Sequence, residues 1–101
     1  MKVSYSRRAR AQLQEILTYI ANENPRAAAA LADRVEALAF LLTRYPNIGR
    51  ATDRAGVRVT SIRGFPYLMF YSILPATDEI RILRVRHMAR RAVPPPTRES
   101  N

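Results

Sequence analysis

Basic side chains crowd one short stretch, "EIRILRVRHMARR", from Glu79 to Arg91. It carries Arg81, Arg84, Arg86 and then His87, the only histidine of the chain, with Arg90 and Arg91 behind. Guanidinium groups in a row can hold a carboxylate or a phosphate through paired N–H donors. An imidazole beside them can carry a proton near neutral pH. Three readings compete: a site that cuts RNA, a surface that binds an anionic partner, and a plain solvated face. Cutting RNA by attack of its 2′-hydroxyl needs a group to take that proton, a group to protonate the leaving oxygen, and positive charge at the phosphate. Arg58, Arg63, Arg81 and His87 are the candidates for that work, with Arg84 and Arg86 as further charge. One imidazole would then have to serve both ends of the reaction, and a structural hydrogen-bonding role for His87 is the expectation.

The hydropathy pattern outlines the scaffold that must hold these groups. Val3 and Tyr5 alternate with polar neighbours, as in a short strand, and Ser6 suits the N-cap of a helix. Leu13, Ile16, Leu17 and Ile20 fall at i, i+3, i+4 and i+7, one apolar stripe of a helix ending near Asn22. Asn24 and Pro25 restart the pattern as N-cap and first helical residue, and Leu31, Val35, Leu38 and Leu42 give a second stripe. Tyr45-Pro46 stops it, because proline restricts the residue before it. So short a link predicts an antiparallel helical hairpin. "PNIGRATDRAG" has no period and reads as a connector. Val57 to Ile62, Pro66 to Leu74 and Ile80 to His87 read as strands, the middle one central because it is apolar on both parities.

The expected fold is therefore α+β: an N-terminal strand, an antiparallel helical hairpin, then a three-stranded antiparallel meander forming one sheet with the helices on one face. Residues 1–93 make one domain, and the Pro-rich residues 94–101 read as a disordered tail. On the last strand Ile80, Ile82, Arg84 and Arg86 share one parity, and Arg81, Leu83, Val85 and His87 share the other. Each face is then expected to be partly apolar and partly basic. Such a half-covered face suits a partner segment bringing apolar side chains and carboxylates. Tyr67, Phe70 and Tyr71 are expected in the core rather than as a platform for bases.

Composition narrows the function classes. Seventeen Lys and Arg against eight Asp and Glu give a net charge of +9 over 101 residues, which favours an acidic partner. Lys2 is the only lysine. The absence of cysteine excludes disulfides and thiolate metal sites, so no metal and no cofactor are expected. No run approaches the roughly 20 apolar residues of a membrane span, and the N-terminus lacks the apolar core of a signal peptide. A cytoplasmic protein without membrane contact is the expectation. Direct nucleic-acid binding stays open on charge alone, although no helix-turn-helix or base-reading module is present.

The phrases "ILTYIANENPRAAAAL", "RYPNIGR", "FPYLMFYSI" and "EIRILRVRHMARR", in this order and spacing, resemble the ParE/RelE superfamily of toxins from type II toxin-antitoxin pairs, most nearly its ParE branch. The resemblance runs from about Val3 to Arg91. It implies a toxin held silent in a hetero-oligomer with a cognate antitoxin that wraps its helices and sheet. It also implies one of two targets: ParE-like members inhibit DNA gyrase, and RelE-like members cut messenger RNA on the ribosome. The ribosome-dependent members typically place lysines on the sheet and a tyrosine near the C-terminus, or a Glu with a His-Tyr pair. This chain has neither, since no tyrosine follows Tyr71 and His87 is followed by Met88. The expected function is thus inhibition of gyrase by binding, with no catalytic residue, and the alternative is a ribosome-dependent mRNA endonuclease using Arg58, Arg63, Arg81 and His87. For the antitoxin, Arg81, Arg84 and Arg86 are the expected ionic contacts and Leu13 and Leu17 the expected apolar ones.

Overall fold

Both helices begin on the caps that their sequence provides. The computed structural model describes residues 1–89, so the expected tail and Arg90 and Arg91 lie outside the described residues. Strand β1 (Lys2–Tyr5) leads into α1 (Arg7–Ala21), where Ser6 Oγ accepts the Ala9 N–H at 3.0 Å. Helix α2 (Pro25–Arg44) starts on Asn24, whose side chain accepts the Ala27 N–H at 3.1 Å, with Pro25 in the first turn. Capping by such oxygens is worth about 1 kcal/mol each. The helices form the expected hairpin.

The connector is not wholly irregular, because Arg50–Ala51 forms a two-residue strand, β2, that the sequence pattern does not reveal. Strands β3 (Arg58–Ser61), β4 (Tyr67–Leu74) and β5 (Glu79–His87) follow, with a single turn of 3-10 helix at Pro75–Thr77. The order across the sheet is β1-β5-β4-β3-β2, so β4 is central as expected. The meander is antiparallel, but β1 joins β5 in parallel, which makes the five-stranded sheet mixed. The long connection between them, through both helices and then β2 to β4, is what permits a parallel pair.

One face of the sheet is sealed by the hairpin. Leu31, Val35 and Leu42 of α2 and Ala9 of α1 are buried with Met69, Tyr71, Ile80, Ile82 and Val85. Leu13, Ile16, Leu17 and Leu38 pack partly buried around them. Burying each large apolar side chain contributes roughly 1.5–3 kcal/mol. At the end of α2 the "YPNIGR" loop is tied to the sheet by polar groups. Tyr71 Oη donates to the Pro46 carbonyl at 2.6 Å and accepts the Gly49 N–H at 3.0 Å, and Arg58 Nε donates to the Gly49 carbonyl at 2.9 Å. Only glycine fits there, since a Cβ on residue 49 would stand 2.7 Å from Tyr71 Oη and 2.9 Å from the Val59 carbonyl.

The last strand contains an irregularity that decides where its side chains point. Phe70 pairs with Arg84, yet its neighbour Tyr71 pairs with Ile82, so Leu83 is an extra residue and β5 carries a β-bulge. Ser6 fastens this point: its N–H donates to the Ile82 carbonyl at 2.8 Å and its hydroxyl to the Leu83 carbonyl at 3.0 Å. Residues paired directly across strands share a face. Ile80, Ile82, Val85 and His87 therefore lie with Ile73, Tyr71, Met69 and Tyr67 towards the helices. Arg81, Arg84 and Arg86 lie with Ser72, Phe70 and Leu68 on the open face. This corrects the alternation read from the sequence, in which each face mixed apolar and basic residues. The bulge shifts parity by one and sorts the two kinds apart.

Glu79 closes the edge between β1 and β5. Its buried carboxylate accepts hydrogen bonds from Ser4 Oγ, from Thr77 Oγ1 at 2.8 Å and from Arg81 Nη2 at 3.1 Å. The bonds from Ser4 and Thr77, joined by that from Arg81 and its charge, outweigh burial and lower the pKa from 4.5 to about 2. A carboxylate with a depressed folded-state pKa contributes stability that is fully present above its unfolded value and is lost as pH falls through the folded one. The stability difference between the native chain and Glu79→Gln is expected to be flat above pH 4.5 and to shrink between pH 4.5 and about 2, as followed by urea denaturation across that range. Ser6→Ala removes a cap and the side-chain tie at the bulge together, and the expected loss at neutral pH is about 1–2 kcal/mol by the same measurement.

Candidate functional site

The open face of the sheet holds the residues with unspent chemistry. Across its middle run Arg50, Val59, Phe70 and Arg84, each paired to the next, and beside that row stand Ser61, Leu68 and Arg86. The result is an apolar centre between guanidinium groups. Arg84 and Arg86 both lie against the Phe70 ring, with their guanidinium carbons 5.1 and 5.2 Å from its centroid. Cation–π contacts of this kind contribute about 0.5–2 kcal/mol. Phe70 is thus no core residue, in contrast to the expectation, whereas Tyr67 and Tyr71 are buried as expected.

Positive charge is concentrated beside that ring. Arg8, from the first turn of α1, and Arg54, from the turn between β2 and β3, line a cleft with Arg84. Burial first, and then the charges of Arg8, Arg86 and Arg54, press the Arg84 pKa below the ordinary arginine value. The Arg84 Nε is buried without a hydrogen-bond partner. Among the described residues the side-chain ion pair is that of Arg81 with Glu79, and no carboxylate pairs with Arg8, Arg54 or Arg84.

A second trough runs between α1 and β5. Strand β1 pairs only with Glu79 to Ile82, so beyond the bulge β5 has no neighbouring strand on that side among the described residues. Side chains guard the exposed edge: Gln12 Oε1 accepts the Val85 N–H at 2.9 Å, in addition to the Ser6 bond at Leu83. Gln12, Ile16 and Tyr19 form one wall and Tyr67, Arg86 and His87 the other, around a space of about 750 Å³. Tyr19 is 73% exposed there.

The four residues named for RNA cleavage do not come together. Arg58 points to the helix side and donates to the Gly49 carbonyl and, at 3.3 Å, to that of Asn47. Arg63 is exposed in the turn between β3 and β4. Arg81 is bound to Glu79 on the open face. His87 lies on the opposite face, six residues along β5 from Arg81, or roughly 20 Å of strand. Its Nδ1 accepts the Ala89 N–H at 3.0 Å, and its ring stands edge-on to Tyr67 with centroids 5.2 Å apart. As for the residues named for an antitoxin, Arg81, Arg84 and Arg86 share the open face, while Leu13 and Leu17 turn partly buried towards the core. Arg8, Arg54 and the setting of Phe70 on the open face are not legible in the sequence. Arg7, Arg8 and Arg10 near the start of a helix, where cations oppose the dipole, were the available signal.

No helix among the described residues is long and apolar enough to cross a membrane. Residues 3–92 match the family model described as the ParE toxin of the type II toxin-antitoxin system parDE. The protein Y4kP of Sinorhizobium fredii is 30% identical over 86 residues, which are 85% of this chain and 86% of that protein. The chromosomal ParDE system from P. aeruginosa contains a chain of the same fold, with a TM-score of 0.73 at 22% identity over 86% of this chain and 95% of that one. The toxin-antitoxin complex RelBE2 from Mycobacterium tuberculosis matches with a TM-score of 0.61 at 30% identity, over 85% of this chain and 95% of that one. Because the matched span takes in every strand and both helices of the fold, this chain belongs to the ParE toxin family of type II toxin-antitoxin systems, within the ParE/RelE superfamily.

Proposed function

We propose that this toxin acts by binding DNA gyrase rather than by cutting RNA, and that a cognate antitoxin silences it by covering the open face of the sheet. The observation that carries the first part is the dispersal of Arg58, Arg63, Arg81 and His87. Acid–base cleavage needs its proton-transfer groups within hydrogen-bond reach of one reacting phosphate. Here Arg58 is spent on a loop, Arg81 on Glu79, and His87, which shares its trough with Arg84 and Arg86, lies on the opposite face of the sheet from Arg81. Inhibition by binding asks only for shape and charge, which the basic open face supplies. The fold alone does not choose, since one scaffold hosts unrelated activities. Membership of the ParE family supports the gyrase reading.

Two solved relatives are a ParDE system and a RelBE2 toxin-antitoxin complex, which supports an antitoxin partner for this chain too. Its acidic residues would meet Arg81, Arg84 and Arg86, and its apolar ones Phe70 and Leu68. A further apolar segment would meet the outer flank of α1 beside Leu13 and Leu17. Two outcomes test the reading. Brief induction of the toxin is expected to produce DNA breaks and an SOS response while protein synthesis continues, and the purified chain is expected to block supercoiling by gyrase without cutting RNA. Cessation of translation within minutes, with messages cleaved between codon positions, would sink it. His87→Ala is expected to cost only about 0.5–1.5 kcal/mol through its lost turn contact and to keep its toxicity. An unchanged melting temperature with toxicity abolished would instead assign His87 a chemical role.

A further inference from the structure

Arg8, Arg54 and Arg84 come from three elements far apart in sequence, yet they line one cleft of about 410 Å³. That size lies within the roughly 300–1,000 Å³ of small-ligand sites. Its apolar lining is Val57, Phe70 and Leu83, the last being the bulge residue. The backbone beneath Arg8 and Arg54 is anchored and the Arg84 side chain is seated. Ser6 caps the helix that carries Arg8, and Arg84 lies on Phe70. Thr52 Oγ1 braces the turn of Arg54, donating to the Val57 carbonyl at 2.9 Å and accepting the Arg54 N–H at 3.2 Å. Three like charges that outnumber the one carboxylate at the cleft, Asp53, oppose the folded state, and Arg8 also opposes the dipole of its own helix. An arrangement that breaks local rules with no evident structural gain marks a place kept for function.

We propose that this cleft seats one acidic side chain of the antitoxin that is followed or preceded by an apolar residue. The carboxylate lies among Arg8, Arg54 and Arg84, and the apolar neighbour rests on Val57, Phe70 and Leu83. This rests on the antitoxin reading above and specifies the chemistry of the partner at that face. A carboxylate fits better than a nucleic-acid phosphate for three reasons. The cleft sets Val57, Phe70 and Leu83 beside its arginines, which suits an acidic peptide side chain with an apolar neighbour. The Phe70 ring already carries two guanidinium groups, which compete with a base for stacking on it. Asp53 stands at the cleft and repels a run of phosphates more than a single carboxylate.

The test uses the full chain with its arginine side chains labelled for NMR, titrated with acetyl-Leu-Glu-Leu-amide, its Gln counterpart, inorganic phosphate and a short single-stranded RNA. The Glu peptide is expected to move the Nε–H signals of Arg8, Arg54 and Arg84 together. Loss of a charge-assisted hydrogen bond weakens binding by roughly tenfold or more, so the Gln peptide should need that much higher concentration. Arg54 is exposed, and Arg54→Ala should weaken the Glu peptide by a similar factor with the backbone spectrum unchanged elsewhere. Equal effects of the Glu and Gln peptides, no shift with either, or a response to phosphate or RNA at lower concentration than to the Glu peptide would each overturn the proposal. Capture of a cognate antitoxin, once it is identified, separates the two levels. Binding to the native chain and equally to Arg54→Glu removes this seat and leaves the antitoxin reading standing, whereas no binding to the native chain removes both.

Discussion

A single serine couples the irregular point of the sheet to the first helix, and the distribution of charge depends on it. Ser6 caps α1, receives the Ala9 N–H, and binds the carbonyls of Ile82 and of the bulge residue Leu83. Without the extra residue, Arg84 and Arg86 would continue the parity of Ile80 and Ile82 and point at the hairpin. Unpaired charges there would cost several kcal/mol each in desolvation. With it, the same strand offers apolar side chains to the core and guanidinium groups to the outside.

The two faces consequently do different work. The helix side holds the molecule together through Leu31, Leu42, Met69, Tyr71 and their neighbours, and through the polar clamp on the loop after α2. The open side carries repulsion among Arg8, Arg54, Arg84 and Arg86, offset in part by the Phe70 ring. Where a protein keeps like charges together on an apolar surface, a complementary partner gains both from pairing the charges and from removing the apolar area from water. Glu79 shows the contrast on this same face. There the protein supplies its own carboxylate to Arg81, whereas no carboxylate among the described residues pairs with Arg84. Arg81 is thus internally satisfied, and the cluster around Arg84 carries the greater pull on an outside anion.

The sequence by itself determined the elements and their order. Caps at Ser6 and Asn24, the apolar stripes of both helices, the stop at Tyr45-Pro46 and the strands rich in β-branched residues are local signals, and local physics decides them. The bulge at Leu83 has no local signature, because it is a relation between β4 and β5 rather than a property of either. Neither the outward setting of Phe70 nor the two-residue strand at Arg50–Ala51 could be read for the same reason: each depends on which strand lies alongside. Arg8 and Arg54 were visible only as two charges among many, and their meeting with Arg84 needed the hairpin and the sheet to be packed first. Periodicity reports which side of its own element a residue occupies. Which residues face one another across the fold is settled by pairing register and by packing, and there the tertiary structure placed the chemistry.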